Sequence, residues 1–275
     1  MDHPAGAEVP EFMATIRPHT GEVTRVRPSS RGFGSASTVV VDCEKGPVFV
    51  KAVPNRPGGR RDSLVREGLI NSYVRPISPA LHWQAEDDAW TVLGFEVVHG
   101  RPADFTPGSP HLPAVLDLLA RIGDLPLPAI ASDWPETRWD RYTPDPADTE
   151  RLRGDALLYT DINPGNLLIG DHGSWAVDWS WPTRGAAFID PACLIVQLIA
   201  VGHSPASAET QAQALPAWKN ADPAAVQVFA VANLRMYTTS ADRNPDATWL
   251  TAMADATARW LQHRGALAGH STDRR

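Results

Sequence analysis

The sequence predicts an α+β chain in two parts: a small β-rich first lobe carrying one helix, then a larger, mostly helical second lobe. Three observations predict it. Short β-branched and apolar runs, parted by turn residues, fill the first 95 residues. The character changes after a crossing segment at 96–101. Beyond it, apolar positions recur at helical spacing over 112–122, 191–201, 223–238 and 246–264. A chain of 275 residues sits near the size, roughly 250–300 residues, at which one core stops growing, so one large or two smaller domains are expected.

In order, residues 1–13 read as a flexible arm. Residues 14–95 form the first lobe, 96–101 a hinge, 102–268 the second lobe, and 269–275 a flexible tail. Within the first lobe, 21–27 is a strand candidate. A small-residue loop from Ser29 to Ser35 follows, holding Gly32-Phe33-Gly34. The runs 38–41 and 47–53 flank Glu44-Lys45-Gly46, whose turn chemistry predicts an antiparallel hairpin. Pro57-Gly58-Gly59 breaks the pattern, and 60–73 reads as a helix. Strands at 80–83 and 90–95 flank the acidic turn Glu86-Asp87-Asp88. In the second lobe, 112–122 carries Val115, Leu118, Leu119 and Ile122 on one helical face. The Pro- and Trp-rich stretch 125–149 has no period that assigns an element. Residues 157–178 are β-like. The helix at 223 has a clear start, with Asp222 as cap and Pro223 at its first position.

Composition excludes several classes. Hydrophobic residues at 43% can bury a real core, which excludes wholesale disorder. A net charge of −7 without a basic stripe speaks against nucleic-acid binding. No stretch reaches the roughly 18 apolar residues of a membrane span, so a cytoplasmic protein with no membrane partner is expected. Cys43 and Cys193 lack metal spacing and read as two reduced thiols.

The informative stretch runs Leu158-Tyr159-Thr160-Asp161-Ile162-Asn163-Pro164-Gly165-Asn166-Leu167-Leu168-Ile169. Gly170-Asp171-His172-Gly173 follows, then Ser174-Trp175-Ala176-Val177-Asp178-Trp179. Two apolar strands joined by a Gly-containing turn place Asn166 and Asp178 side by side at the open end of a hairpin. An amide oxygen and a carboxylate suit a hard Mg²⁺ ion. Asp161, five residues before Asn166, can orient a hydroxyl and accept its proton. Taken singly, an Asp or Asn in such a turn is usually just a turn former; it is the combination and spacing of the three that point to chemistry.

This segment resembles the Asp-x-x-x-x-Asn catalytic loop and the metal-binding Asp-Trp of the aminoglycoside phosphotransferase family. In many members His-Gly precedes the first aspartate, where this chain has Tyr159-Thr160. The resemblance covers roughly residues 20–200. It implies a protein-kinase-like, two-lobed fold, with Asp161 as the catalytic residue and Asn166 and Asp178 as Mg²⁺ ligands. The activity it implies is transfer of the γ-phosphate of ATP or GTP to a hydroxyl of a small molecule. Candidate acceptors are an aminoglycoside or related amino-sugar in antibiotic inactivation, or a choline-, homoserine- or sugar-like compound in metabolism or biosynthesis. A nucleotide-binding pseudokinase regulator is the alternative outside catalysis.

The first lobe offers an independent check on that reading. A kinase needs a glycine-rich loop over the phosphates, a strand lysine, and a helical glutamate that holds it. Gly32 and Gly34 lie between the first two strand candidates. Lys51 lies inside the apolar run 48–53, where a charge needs a partner. Glu67, sixteen residues on and mid-helix, can be that partner. A solvent-facing Lys51 and an exposed Arg66-Glu67 pair are the plainer readings. In the hinge, the resemblance implies backbone contacts to the nucleotide base around Glu96 to Val98.

On the acceptor side, 104–190 holds 14 acidic and 6 basic residues, a balance of −8. That balance suits a cationic acceptor or a solvated acidic surface. Trp134, Trp139, Trp175, Trp179 and Trp181 line either a pocket or the core. Asp190, before Pro191, either stabilises the catalytic loop or caps the following helix.

Overall fold

Valine-rich alternation between residues 23 and 96 builds one five-stranded antiparallel sheet. The computed structural model describes residues 10–28 and 37–272, with side chains through residue 265. Helix α1 (Met13–Thr20) comes first, followed by strands β1 (Val23–Pro28), β2 (Ser37–Cys43) and β3 (Val48–Pro54). Helix α2 (Gly59–Ile70) precedes β4 (Leu81–Glu86) and β5 (Trp90–Glu96), and the sheet order is β1-β2-β3-β5-β4. Gly46, at a φ of 101° that favours glycine, closes the predicted β2–β3 turn by donating its N–H to the Cys43 carbonyl. Gly94 on β5 is required for a different reason. A side chain there would run into the Trp83 indole, 2.2 Å from the added carbon.

The period of two sorts β3 between its faces. Val48, Val50 and Ala52 pack with Val39, Val41 and Val92 against Phe12 and Ile16 on the α1 side. Val53, with Phe49 partly buried beside it, packs with Leu64 of α2, Leu93 and Phe95. Lys51 shares the parity of Phe49 and Val53 and so projects on the α2 face. Phe12 is wholly buried. Phe12 and Met13, predicted as part of the arm, therefore pack against the sheet. The predicted helix at 60–73 ends as α2 at Ile70 and continues as a 3-10 turn over Asn71–Tyr73.

The second part begins with β6 (Arg101–Pro102) and α3 (Leu112–Gly123), whose predicted face Val115, Leu118, Leu119 and Ile122 is buried. The stretch 125–149 lacks a helical period because it is built from 3-10 turns. Strands β7 (Ala156–Leu158), β8 (Leu167–Gly170), β9 (Gly173–Ala176) and β10 (Thr183–Gly185) form two small sheets, ordered β6-β8-β9 and β10-β7. Helices α4 (Ile189–Ala200), α5 (Pro205–Ala212), α6 (Pro216–Lys219), α7 (Pro223–Arg243) and α8 (Thr248–Thr272) complete the chain. Helix α4 is buried on nearly all sides, as its apolar composition requires. Helix α8 extends to Thr272, so residues 269–272, predicted as tail, are helical.

The chain divides into two compact units. The first holds residues 1–99 and 177–181, the second 100–176 and 182–275. The five residues 177–181, predicted within the second lobe, thus belong with the sheet. No helix among the described residues is long and apolar enough to cross a membrane.

Candidate active site

The first unit holds one ammonium between two carboxylates. Lys51 Nζ lies 2.7 Å from Glu67 Oε1, 2.9 Å from Oε2 and 3.0 Å from Asp178 Oδ1. The Lys51 side chain is 11% exposed and that of Glu67 6%, so the plainer solvent-facing readings do not apply. Strand β3 delivers Lys51 to the α2 face. Glu67 lies mid-helix on the buried side of α2, with Leu64 and Ile70. Asp178 arrives from far along the chain, in a left-handed conformation with φ 62° that Asp tolerates better than most residues. The Ser180 hydroxyl donates to the same Asp178 oxygen.

These contacts set the charges. Burial pulls the Lys51 pKa down, but Glu67 and Asp178 outweigh it, and the ammonium is held above its ordinary value. Burial pushes Glu67 up to about 7 against the attraction of Lys51. Burial also opposes ionisation of Asp178, yet Lys51 and Ser180 hold it below the usual carboxylate range. Among the described residues, both hydrogen bonds to Asp178 fall on Oδ1, and the side chain is 39% exposed. Its Oδ2 is therefore the oxygen it can offer a cation, and a readily ionised carboxylate fits a hard divalent ion.

The second unit holds the Asp161 loop. Asn166 Nδ2 donates to Asp161 Oδ2 at 2.7 Å, and Asn163 Nδ2 donates to Oδ1 at 3.1 Å. Asn163 Oδ1 in turn accepts the N–H groups of Gly165 and Asn166. The five-residue spacing is thus closed into a turn, with Asp161 exposed at its rim. Since Asn166 uses its amide nitrogen on Asp161, its amide oxygen is the donor available to a hard cation.

Behind the loop, Asp190 accepts the Tyr159 N–H at 3.0 Å and the Thr160 N–H at 2.8 Å. It stabilises the loop and is not a cap; residue 188 precedes α4 without a side-chain cap bond. Thr160 has φ 58°, a left-handed conformation costly for a β-branched residue. Glycine is preferred in that conformation, which fits the resemblance at this position. Here Asp190 holds the Thr160 backbone, and Arg138 Nη2 donates to its hydroxyl at 3.0 Å. Burial pushes Asp190 up to about 6, against the pull of the two N–H groups.

The structure therefore brings Lys51, Glu67 and Asp178 together in one unit, and Asp161 with Asn166 in the other. Gly32 and Gly34 lie outside the described residues. Glu96 ends β5, its N–H donating to the Ala80 carbonyl and its carboxylate accepting from Ala80 N–H. Val98 follows, half-buried. Among the tryptophans, Trp139 and Trp179 are core, and Trp181 is 43% exposed. Sequence reasoning missed Asn163 and Ser180. The signal for Asn163 was present, since Asn before Pro-Gly favours an Asx turn.

The sequence matches no protein-family model and no curated protein. Solved structures match it in fold. A spectinomycin phosphotransferase in complex with ADP and spectinomycin superposes with a TM-score of 0.60 at 12% identity, over 92% of this chain and 93% of that one. A choline kinase from Streptococcus pneumoniae gives 0.63 at 10% identity, over 92% and 98%. A microcompartment-associated aminopropanol kinase gives 0.58 at 12% identity, over 92% and 98%. The chain thus has the α+β, two-lobed, protein-kinase-like fold that its sequence predicts.

Proposed function

We propose that this chain is a phosphotransferase that moves the γ-phosphate of ATP or GTP onto a hydroxyl of a small molecule. The observation that carries the reading is the buried Lys51 ammonium held by Glu67 and Asp178 inside the sheet unit. A buried lysine with a raised pKa is a permanent point charge suited to phosphate oxygens. Glu67 fixes where that charge sits. In this reading 14–95 is the nucleotide-binding lobe, with the Gly32–Gly34 loop over the phosphates. Residues 96–101 are the hinge, with Glu96 to Val98 offering backbone groups to the base. Residues 102–268 bind the acceptor.

Asp161 receives the acceptor hydroxyl. Its carboxylate, oriented by Asn163 and Asn166, aligns the oxygen and takes its proton as the bond to the γ-phosphorus forms and the bond from that phosphorus to the β–γ bridging oxygen breaks, releasing the nucleoside diphosphate. Asn166 and Asp178 are the proposed oxygen donors for Mg²⁺, which when bound neutralises phosphate charge. We propose a small amino alcohol or amino-sugar as acceptor. The excess of 14 acidic over 6 basic residues in 104–190 supports a cationic one. So do the acceptors named for the solved structures that share the fold.

The test is ADP or GDP release from ATP or GTP, scored over background hydrolysis, across a panel of aminoglycosides, choline-like amino alcohols, homoserine and sugars. At least one acceptor should stimulate release. With that acceptor, Asp161→Ala should slow transfer by about 10²–10⁴-fold, the range for a positioned base, while nucleotide affinity stays within about twofold. A silent panel, or transfer undiminished in Asp161→Ala, overturns the proposal.

A further inference from the structure

Helix α2 must hold Glu67 on Lys51; Arg61 ties its first turn to Asn55 and Glu86, on the turn and strand beside it, but few of its residues are buried. Residue 58 precedes it in an extended, positive-φ glycine conformation with no side-chain cap bond. Apart from Glu67 itself, only Leu64 and Ile70 of its twelve residues are buried. The segment 178–181, which joins the same unit from far along the chain, adds a second set of contacts. Asp178 reaches Lys51, and the Trp179 N–H donates to Glu67. The Trp181 ring then lies along the outside of the helix. The Arg66 guanidinium carbon is 5.2 Å from its centroid, and a side chain added at Gly59 would meet its Cζ2 at 3.9 Å. Gly59 and Arg66 are seven residues apart, two helical turns on one face, so the Arg66 side chain, leaning back along the helix, and the indole together link the start of α2 to the residue before Glu67. At 43% exposure it fills no core.

We propose that Trp181 is a positioning residue: by stacking on Arg66 and covering Gly59, it holds the first two turns of α2 where Glu67 stays on Lys51. Its importance for catalysis rests on the proposed role of Lys51 as the phosphate-holding charge.

The chain has three lysines, Lys45, Lys51 and Lys219, and the other two are exposed. This makes the clamp measurable without any nucleotide. Limited acetylation with acetic anhydride, read site by site by mass spectrometry, should find Lys51 far slower than Lys45 and Lys219. Trp181→Ala and Arg66→Ala should each raise the Lys51 rate relative to those two by about three- to tenfold, the range a partly exposed cation–π contact supports. Trp181→Phe and Arg66→Lys should restore most of the protection. The dissociation constant for Mg–ATP should rise by a similar factor in the alanine variants.

An unchanged Lys51 ratio in both alanine variants overturns the clamp, as does a rise at all three lysines together, which marks general unfolding. A raised ratio with unchanged Mg–ATP affinity overturns the positioning role. If the parent protein binds no Mg-nucleotide while the ratio still rises, the clamp on Glu67 stands and the phosphotransferase reading falls.

Discussion

At the scale of single residues, two carboxylates act on backbone or charge that the rest of the fold cannot satisfy. Asp190 is the sharper case. Its two oxygens take the Tyr159 and Thr160 N–H groups, both buried, and so hold a threonine in a left-handed conformation just before Asp161. Asp190→Ala would leave two buried donors without acceptors, at about 1–3 kcal/mol each before relaxation. We expect a loss of about 2–4 kcal/mol in chemical denaturation, and a larger fall in phosphoryl transfer than in nucleotide affinity. A loss below about 1 kcal/mol would mean that water replaces the carboxylate. The Lys51–Glu67 pair was legible in the sequence because a lysine among valines demands a partner. The third member was not. Hairpin reasoning tied Asp178 to β9, and only its left-handed backbone shows where the chain leaves the strand.

At the scale of elements, caps decide what the sequence reveals. Helix α7 begins with Asp222 accepting the Ala224 N–H at 3.0 Å, followed by Pro223, and this start was read directly. Asp222→Ala should destabilise by about 1 kcal/mol through loss of the cap. The exposed Arg151–Asp222 pair, at 3.2 Å, adds little to that. A change in thermal midpoint indistinguishable from zero would show that water serves the helix start equally well. Helix α5 carries the same signal in Ser204-Pro205, with Ser204 accepting the Ser207 N–H, and went unread because its eight residues bear only two buried alanines. Helix α1 is hidden differently. Pro18 lies inside it, and its contacts to the sheet come from Ile16, from Met13 beside the preceding Phe12, and from His19 stacked on Trp83, which make no helical apolar repeat. The 3-10 turns of 125–149 have no apolar repeat to detect. They are fixed by side chains bonding to backbone, such as Arg153 and Arg184 to the carbonyls of Glu136 and Ser132.

At the scale of the whole molecule, each unit contains a carboxyl that resists ionisation. Glu67 is raised from 4.5 to about 7, and Asp190 from 3.8 to about 6. The folded chain therefore binds more protons than the unfolded chain between about pH 4 and 7, and stability falls as pH rises through that window. Asp178, held low by Lys51 and Ser180 despite its burial, acts in the opposite sense only at more acidic pH. Thermal unfolding at constant ionic strength should give a falling Tm from pH 5 to 8. Glu67→Gln, which cannot ionise, should flatten the upper part of that decline. A Tm that climbs over this range would contradict the assignment. Fold class and the pairing of strand lysine with helical glutamate were thus readable from pattern. The composition of the first unit was not, because residues 177–181 belong to it through contacts that no local period encodes.

That late contribution has a consequence for biogenesis. A ribosome releases residues 1–99 well before 177–181, with 77 residues translated between them. At about 5–20 residues per second the delay is roughly 4–15 s. Throughout it the nascent sheet carries its interior ammonium with one counterion instead of two, and the indole that covers the outside of its helix has yet to be made.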